Sequence, residues 1–244
     1  MNTKSFKYLY KKELLSFFNT PSGYVFMVIT IFFNFLFFFL GIFDLIPGFW
    51  DAQLASIESY MNLLPFTFIL LVPAVTMRIW AEERKSGTIE ILKTLPFTEF
   101  QLVFAKFLGC WTFVSLIILS AIPLTLSISL MGLMDWGKTF TLYLGSILMA
   151  GAYVSIGMVA SALTKEQIVA FIITFFISLF MFLSNYYLLS QHLPPEWNFF
   201  LGFLSISYHF SSFSKGLILF SDVVYYISFI GLMIYINIEL IKKY

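Results

Sequence analysis

The chain reads as long apolar runs separated by short polar ones. A bilayer-spanning helix needs roughly 20 mostly apolar residues. By that measure six segments qualify, at about 22–43, 63–81, 103–132, 139–162, 168–188 and 219–240. One polar interruption is longer than the others: WAEERKSGTIEILKTLPFTEFQLVFAK, residues 80–106, between the second and third runs. Ahead of the first run, residues 4–18 show a helical period, with Phe6, Leu9, Tyr10, Leu14 and Phe17 on one face and Lys4, Lys7 and Lys11 on the other. That is the pattern of an amphipathic helix lying in the headgroup plane, over about residues 2–19. Glu13 breaks the pattern. At about 100° per residue it falls on the apolar side, where it either snorkels to the interface or meets a cation from the long polar stretch, Arg78 or Arg84 being the candidates.

Local signals agree with this segmentation. Pro21 after Thr20 suits the first turn of a helix, where a missing N–H costs nothing. Thr98 with Gln101 and Thr164 with Gln167 each form the T-x-x-Q pattern of a capping box. Pro73 and Pro123 fall inside the second and third runs and predict kinks there. The fourth run carries small residues four apart (Ser146 and Ala150, Gly151 and Ser155, Gly157 and Ser161), a spacing that permits close helix packing.

Composition confirms the setting. Hydrophobic residues make up 60% of the 244, aromatic residues 20% and charged residues only 11%, far from the range of a soluble domain of this length. The single cysteine, Cys110, lies within a run and excludes a disulfide framework. A net charge of +1 gives no sign of a nucleic-acid partner. The first run does not read as a cleavable signal, because a basic amphipathic stretch precedes it and no small-residue cleavage site follows. If the N-terminus is cytoplasmic, twelve of the fourteen lysine and arginine residues fall on the inside, leaving only Lys138 and Lys215 outside. Both termini are therefore expected in the cytoplasm.

Motifs for chemistry are thin. The sequence has no G-x-x-x-x-G-K-[ST] phosphate loop, so it is not expected to bind ATP by that route. The centres of the runs lack the ionisable groups that ion-coupled carriers use; Asn34 and scattered hydroxyls are the polar groups at depth. His192 and Glu196 are separated by Pro194 and Pro195, and His209 stands with Asp222 in one outer region, where interfacial packing is the ordinary reading. The chemistry-bearing signal sits instead in residues 82–102, where acids, bases and Gly87 precede a new helix start at Thr88 with Glu90 in its first turn. Ile89, Ile91, Leu92 and Leu95 give this stretch an apolar set that a solvated connector would not need.

Four separated runs, EERKSGTIEILKTLP (82–96), SALTKEQIVAF (161–171), KKELLSFFNTPSGYV (11–25) and SISYHFSSFSKGLILFSDVVYY (205–226), together resemble a permease subunit of the type-2 ABC transporter family. The closest resemblance is to its gliding-motility-associated branch. It implies an all-α, polytopic membrane protein: a single permease domain over residues 1–244 with six transmembrane helices, an N-terminal elbow helix, a cytoplasmic coupling helix, a small outer helical element at about 204–217, and cytoplasmic termini. Glu82, Glu83, Arg84, Gly87, Thr88, Glu90, Leu95 and Pro96, with Gln167, fall in the segments that dock on an ATP-binding subunit; Lys11 and Glu13 fall in the elbow, and Tyr208, His209, Gly216 and Asp222 in the outer element. Many members are basic just before the outer aspartate, where this chain has Ser221.

The resemblance implies a non-catalytic subunit that binds no cofactor, with ATP and magnesium on a separate ATPase. The expected partners are that subunit, a second copy or a related permease, membrane lipids, and an auxiliary subunit with an extracytoplasmic domain. The expected setting is the bacterial inner membrane, and the expected work is export of an amphiphilic or lipid-like substrate. Two alternatives stay open from the residues: a structural or mechanical component without flux, and a secondary carrier, which the missing midplane charges disfavour.

Overall fold

The computed structural model describes residues 3–41, 48–52, 55–90, 97–184 and 201–243. Among the described residues every regular element is an α-helix: α1 (Thr3–Asn19), α2 (Pro21–Leu40), α3 (Phe49–Ala52), α4 (Glu58–Thr76), α5 (Ala81–Ser86), α6 (Glu99–Leu119), α7 (Ile122–Met131), α8 (Trp136–Leu163), α9 (Gln167–Leu183), α10 (Ile206–Ser214) and α11 (Phe220–Lys242). Five helical stretches are long and apolar enough to cross a bilayer: Pro21–Leu40, Glu58–Ser86, Glu99–Met131, Trp136–Leu163 and Phe220–Lys242. The sixth expected span is α9, 17 residues long. Its expected end at about 188 lies outside the described residues.

The prolines act differently from one another. Pro21 occupies the first turn of α2, as expected. The third run does break, as Pro123 predicts: α6 ends at Leu119 and α7 begins at Ile122, with Pro123 in its first turn. By contrast α4 stays helical through Pro65 and Pro73. The Thr98–Gln101 capping box forms, with Thr98 Oγ1 accepting from the Gln101 amide and Gln101 Oε1 from the Thr98 amide. The Thr164–Gln167 box does not. Glu166 is the N-cap of α9, and Thr164 Oγ1 instead accepts from the Glu166 amide at 3.0 Å, closing a local turn one step too early for a box.

At the centre is α8, which packs against α4, α6, α9, α10 and α11. Its small residues make this possible. A Cβ at Gly157 would lie 2.1 Å from Thr76 Oγ1, so α4 and α8 touch at a distance only glycine allows. The apolar face of α1 is covered by protein: Leu9 and Phe17 are buried, Phe6 stacks on Phe104, and Phe17 on Phe113. Phe6 meets Phe104 and Phe17 meets Phe113, so α1 runs alongside α6 in the same direction. The apolar face of the expected elbow helix is thus used to cover α6.

Candidate functional site

At the end of the bundle that carries the two termini, three elements meet on one ammonium group. Lys106 stands two turns into α6, flanked by Ala105 and Phe107, and is 5% exposed. Its Nζ donates to Glu83 Oε1 of α5 at 2.7 Å, to Glu13 Oε2 of α1 at 3.3 Å and to the Ile79 carbonyl at 3.3 Å. An ammonium has three hydrogens, and each has an acceptor. The group also lies 5.0 Å over the Trp80 ring, a favourable face for a cation. Glu13 reaches this point because α1 rests on Gly109, where a side-chain Cβ would sit 3.0 Å from Glu13 Cβ.

This corrects the expected partners of Glu13. Arg78 donates instead to Ser22 Oγ at 2.7 Å, joining α4's end to α2, and Arg84 donates to the Ala162 carbonyl at 2.5 Å. In the sequence Lys106 reads as one more loop charge. The overlooked signal is its place inside FAKFLG, where apolar residues on both sides carry it into the packed helix.

A second set of bonds fixes α5 to the end of α8. Ser161 Oγ accepts from the Trp80 and Ala81 amides at 3.0 and 3.1 Å and donates to the Met77 carbonyl at 3.0 Å. It thus caps, from another helix, the free amides at the start of α5. Lys85 pairs with Glu166 at 3.1 Å on the surface. Glu82, Lys85, Ser86, Gly87 and Glu90 are exposed on the far side of this segment, whereas Ile89 is buried. Gly87 adopts φ 73°, the left-handed region that ends α5. Residues 88–90 are helical again, Thr88 Oγ1 facing Ser86 Oγ at 2.9 Å. Leu95 and Pro96 lie outside the described residues, as do His192 and Glu196. Gln167 is half-buried at the start of α9, and Lys11 is exposed on α1. Beside the junction lies a cleft of about 390 Å³, lined by Lys12, Glu13, Arg78, Glu82, Glu83 and Lys106 among others.

The opposite end holds a different arrangement. His209 of α10 and Asp222 of α11 are both buried, and Nδ1 lies 2.7 Å from Asp222 Oδ1. The two residues named in the outer region thus meet directly where α10 packs on α11. Gly216, at φ 82°, ends α10 in a Schellman motif, with Gly216 N–H donating to the Phe213 carbonyl and Leu217 N–H to that of Ser212. Tyr208 is half-exposed. Lys138 pairs with Glu58, tying the starts of α8 and α4 at this same end. Among the described residues no three histidine, cysteine or carboxylate side chains group as a metal site.

A bundle of long apolar helices with a bound, charged end segment is a polytopic membrane protein. Residues 51–239, well over half the chain, match the family described as ABC-2 family transporter protein, and the chain belongs to that family. It is a membrane-spanning permease subunit of an ABC transporter. No curated protein matches the sequence.

Proposed function

We propose that this permease is driven by a separate ATP-binding subunit that docks on the segment 82–96, whose residues Glu82, Lys85, Ser86, Gly87 and Glu90 are exposed, and that the Lys106 junction carries the resulting motion into the bundle. The observation that carries the reading is the three-way contact of Lys106. One cation joins the N-terminal helix, the charged segment and a spanning helix, so a displacement of α5 moves α1 and α6 with it. Ser161 and Arg84 hold the same segment to α8. The reading takes six spans, with α9 as the fifth, from the apolar runs, cytoplasmic termini from the lysine and arginine distribution, and a bacterial inner membrane from the family resemblance. A second copy or a related permease completes the pathway.

The substrate proposed is an amphiphile moved outward. A groove of about 510 Å³ between α2, α4 and α9, lined by Phe26, Phe33, Phe66, Leu70 and Phe175 with Thr30 and Thr67, is almost wholly apolar and supports an acyl or similar chain rather than an ion. The resemblance to the gliding-motility-associated branch supports a second reading, in which ATP turnover works on a surface assembly through an auxiliary subunit. Purification in mild detergent tests the main reading. An ATP-binding protein is expected to co-elute, and the isolated chain to neither bind nor hydrolyse ATP. ATPase activity retained by the pure single chain overturns it.

A further inference from the structure

The cleft beside the Lys106 junction carries a balanced set of charges. Its cations are Lys12, Arg78 and Lys106, and its anions are Glu13, Glu82 and Glu83. Lys106 is spent within the chain, because each of its three hydrogens already has an acceptor. Lys12, Arg78 and Glu82 are not spent: among the described residues none of them enters an ion pair. Arg78 gives Nη2 to Ser22 Oγ, which leaves most of its fork of donors open. Glu83 commits Oε1 to Lys106, while its Oε2 is buried without a hydrogen-bond partner, an acceptor costly to leave unmet.

That distribution selects a ligand. A simple anion would meet Lys12 and Arg78 but also three carboxylates, of which Lys106 offsets only one; a simple cation would meet Glu82 and Glu83 but also the two open cations. A zwitterion answers both poles, since α1 and α4 present Lys12 and Arg78 while α5 presents Glu82 and Glu83. A phosphodiester suits the first pole, because a guanidinium fork and an ammonium both bind phosphate oxygens. A primary ammonium suits the second, because it has hydrogens to give to Glu82 and to the unmet oxygen of Glu83, and a quaternary ammonium has none.

Position names the source. Thr20 at the start of α2 and Val75 near the end of α4 both line the cleft, so it opens where two spanning helices reach the headgroup layer. Tyr24 and Val28, four and eight residues on from Thr20, are more than half exposed and offer acyl chains an apolar surface deeper in the bilayer. The volume of about 390 Å³ is that of a small-ligand site.

We propose that this cleft is a headgroup site for a membrane phospholipid whose phosphodiester carries a primary ammonium, with the phosphate on Arg78 and Lys12 and the ammonium on Glu82 and Glu83. The inference concerns binding alone and depends neither on the ATPase reading nor on the substrate moved.

The test uses the full chain, delipidated in detergent, and counts lipid retained per chain by native mass spectrometry as dioleoyl phosphatidylethanolamine, phosphatidylcholine or phosphatidylglycerol is titrated in. The ethanolamine lipid should bind about tenfold tighter than either of the others, as a charge-assisted set of hydrogen bonds allows. Arg78→Gln should weaken all three lipids about tenfold, whereas Ser22→Ala, which removes only the hydroxyl that Arg78 holds, should not. Lys12→Gln, at an exposed position on α1, should act in the same direction as Arg78→Gln and reads the phosphate pole by itself. Glu82→Gln, also at an exposed position, should bring the ethanolamine lipid within about threefold of the choline lipid without weakening phosphatidylglycerol. Glycerophosphoethanolamine, the same headgroup without chains, should compete only at concentrations about a hundredfold or more higher; competition at equal concentration makes the ligand a soluble phosphate ester and overturns the lipid assignment. Equal affinity for the three lipids, an ethanolamine preference that survives Glu82→Gln unchanged, or lipid affinity unaltered by both Arg78→Gln and Lys12→Gln overturns the proposal.

Discussion

The two ends of the bundle each bury a charge, and they bury it in opposite ways. At the end carrying the termini, one ammonium faces two carboxylates from different helices, beside an open cleft, with Glu83 21% exposed. At the other end, one imidazole faces one carboxylate beneath a stacked tyrosine, and neither partner exceeds 6% exposure. The first arrangement joins three helices and has an acidic excess, so it depends wholly on its cation and suits a junction that passes motion along. The second is one ring against one carboxylate, local to α10 and α11, which suits a fastening.

The largest expected effect tests the dependence on the cation. Lys106→Met leaves two partly buried carboxylates without their shared cation and should destabilise the protein by about 3–5 kcal/mol, read as a lowered unfolding midpoint in detergent. The triple change Lys106→Met, Glu13→Gln, Glu83→Gln should recover much of that stability but not coupling to the ATPase. If the triple variant is as unstable as the single one, packing rather than charge dominates the junction.

At the opposite end His209→Ala strands a single carboxylate and should cost about 3 kcal/mol, the lower end of that range. ATPase co-purification should be unaffected, which would separate the two ends functionally; loss of the partner would show that they form one unit.

Gly87→Val places a β-branched residue at positive φ and should cost about 1–2 kcal/mol through backbone strain alone, since a Cβ there meets nothing within 4 Å. Membrane insertion should be unchanged while ATPase docking weakens. Equal co-elution at equal expression would make residues 82–96 a mere connector. A double-mutant cycle between Glu13 and Lys106 should show coupling on the order of 1 kcal/mol, and one between Glu13 and Arg78 less than about 0.5 kcal/mol. The smallest effect belongs to the exposed Lys85–Glu166 pair, where Lys85→Ala should change stability by about 0.2–1 kcal/mol, less at high salt.

Much was legible in the sequence alone. The apolar runs had the length that a hydrocarbon layer demands, so the helices and their approximate ends followed from composition and turn chemistry. The Thr98 box, the Pro21 start and the break before Pro123 are properties of a few neighbouring residues, and each appeared where expected. Gly87 was recognisable as a turn residue, and the structure gives it the positive φ that a turn of that kind requires.

Pairing was a different matter. Glu13 is 93 positions from Lys106, and no periodicity on α1 says which helix its face will cover. The choice among Arg78, Arg84 and Lys106 was made by Gly109, which lets α1 sit close enough on α6 for the carboxylate to reach one cation and not the others. Ser161 reads in the sequence as a small packing residue, and only the approach of α5 to the end of α8 makes it a cap. Likewise His209 and Asp222 are near in sequence, yet their contact required the turn at Gly216 to fold α10 back onto α11. The sequence by itself determined the elements, because their causes are local; the tertiary structure alone decided which buried charges meet, because that depends on interhelical distances set by packing across the whole bundle.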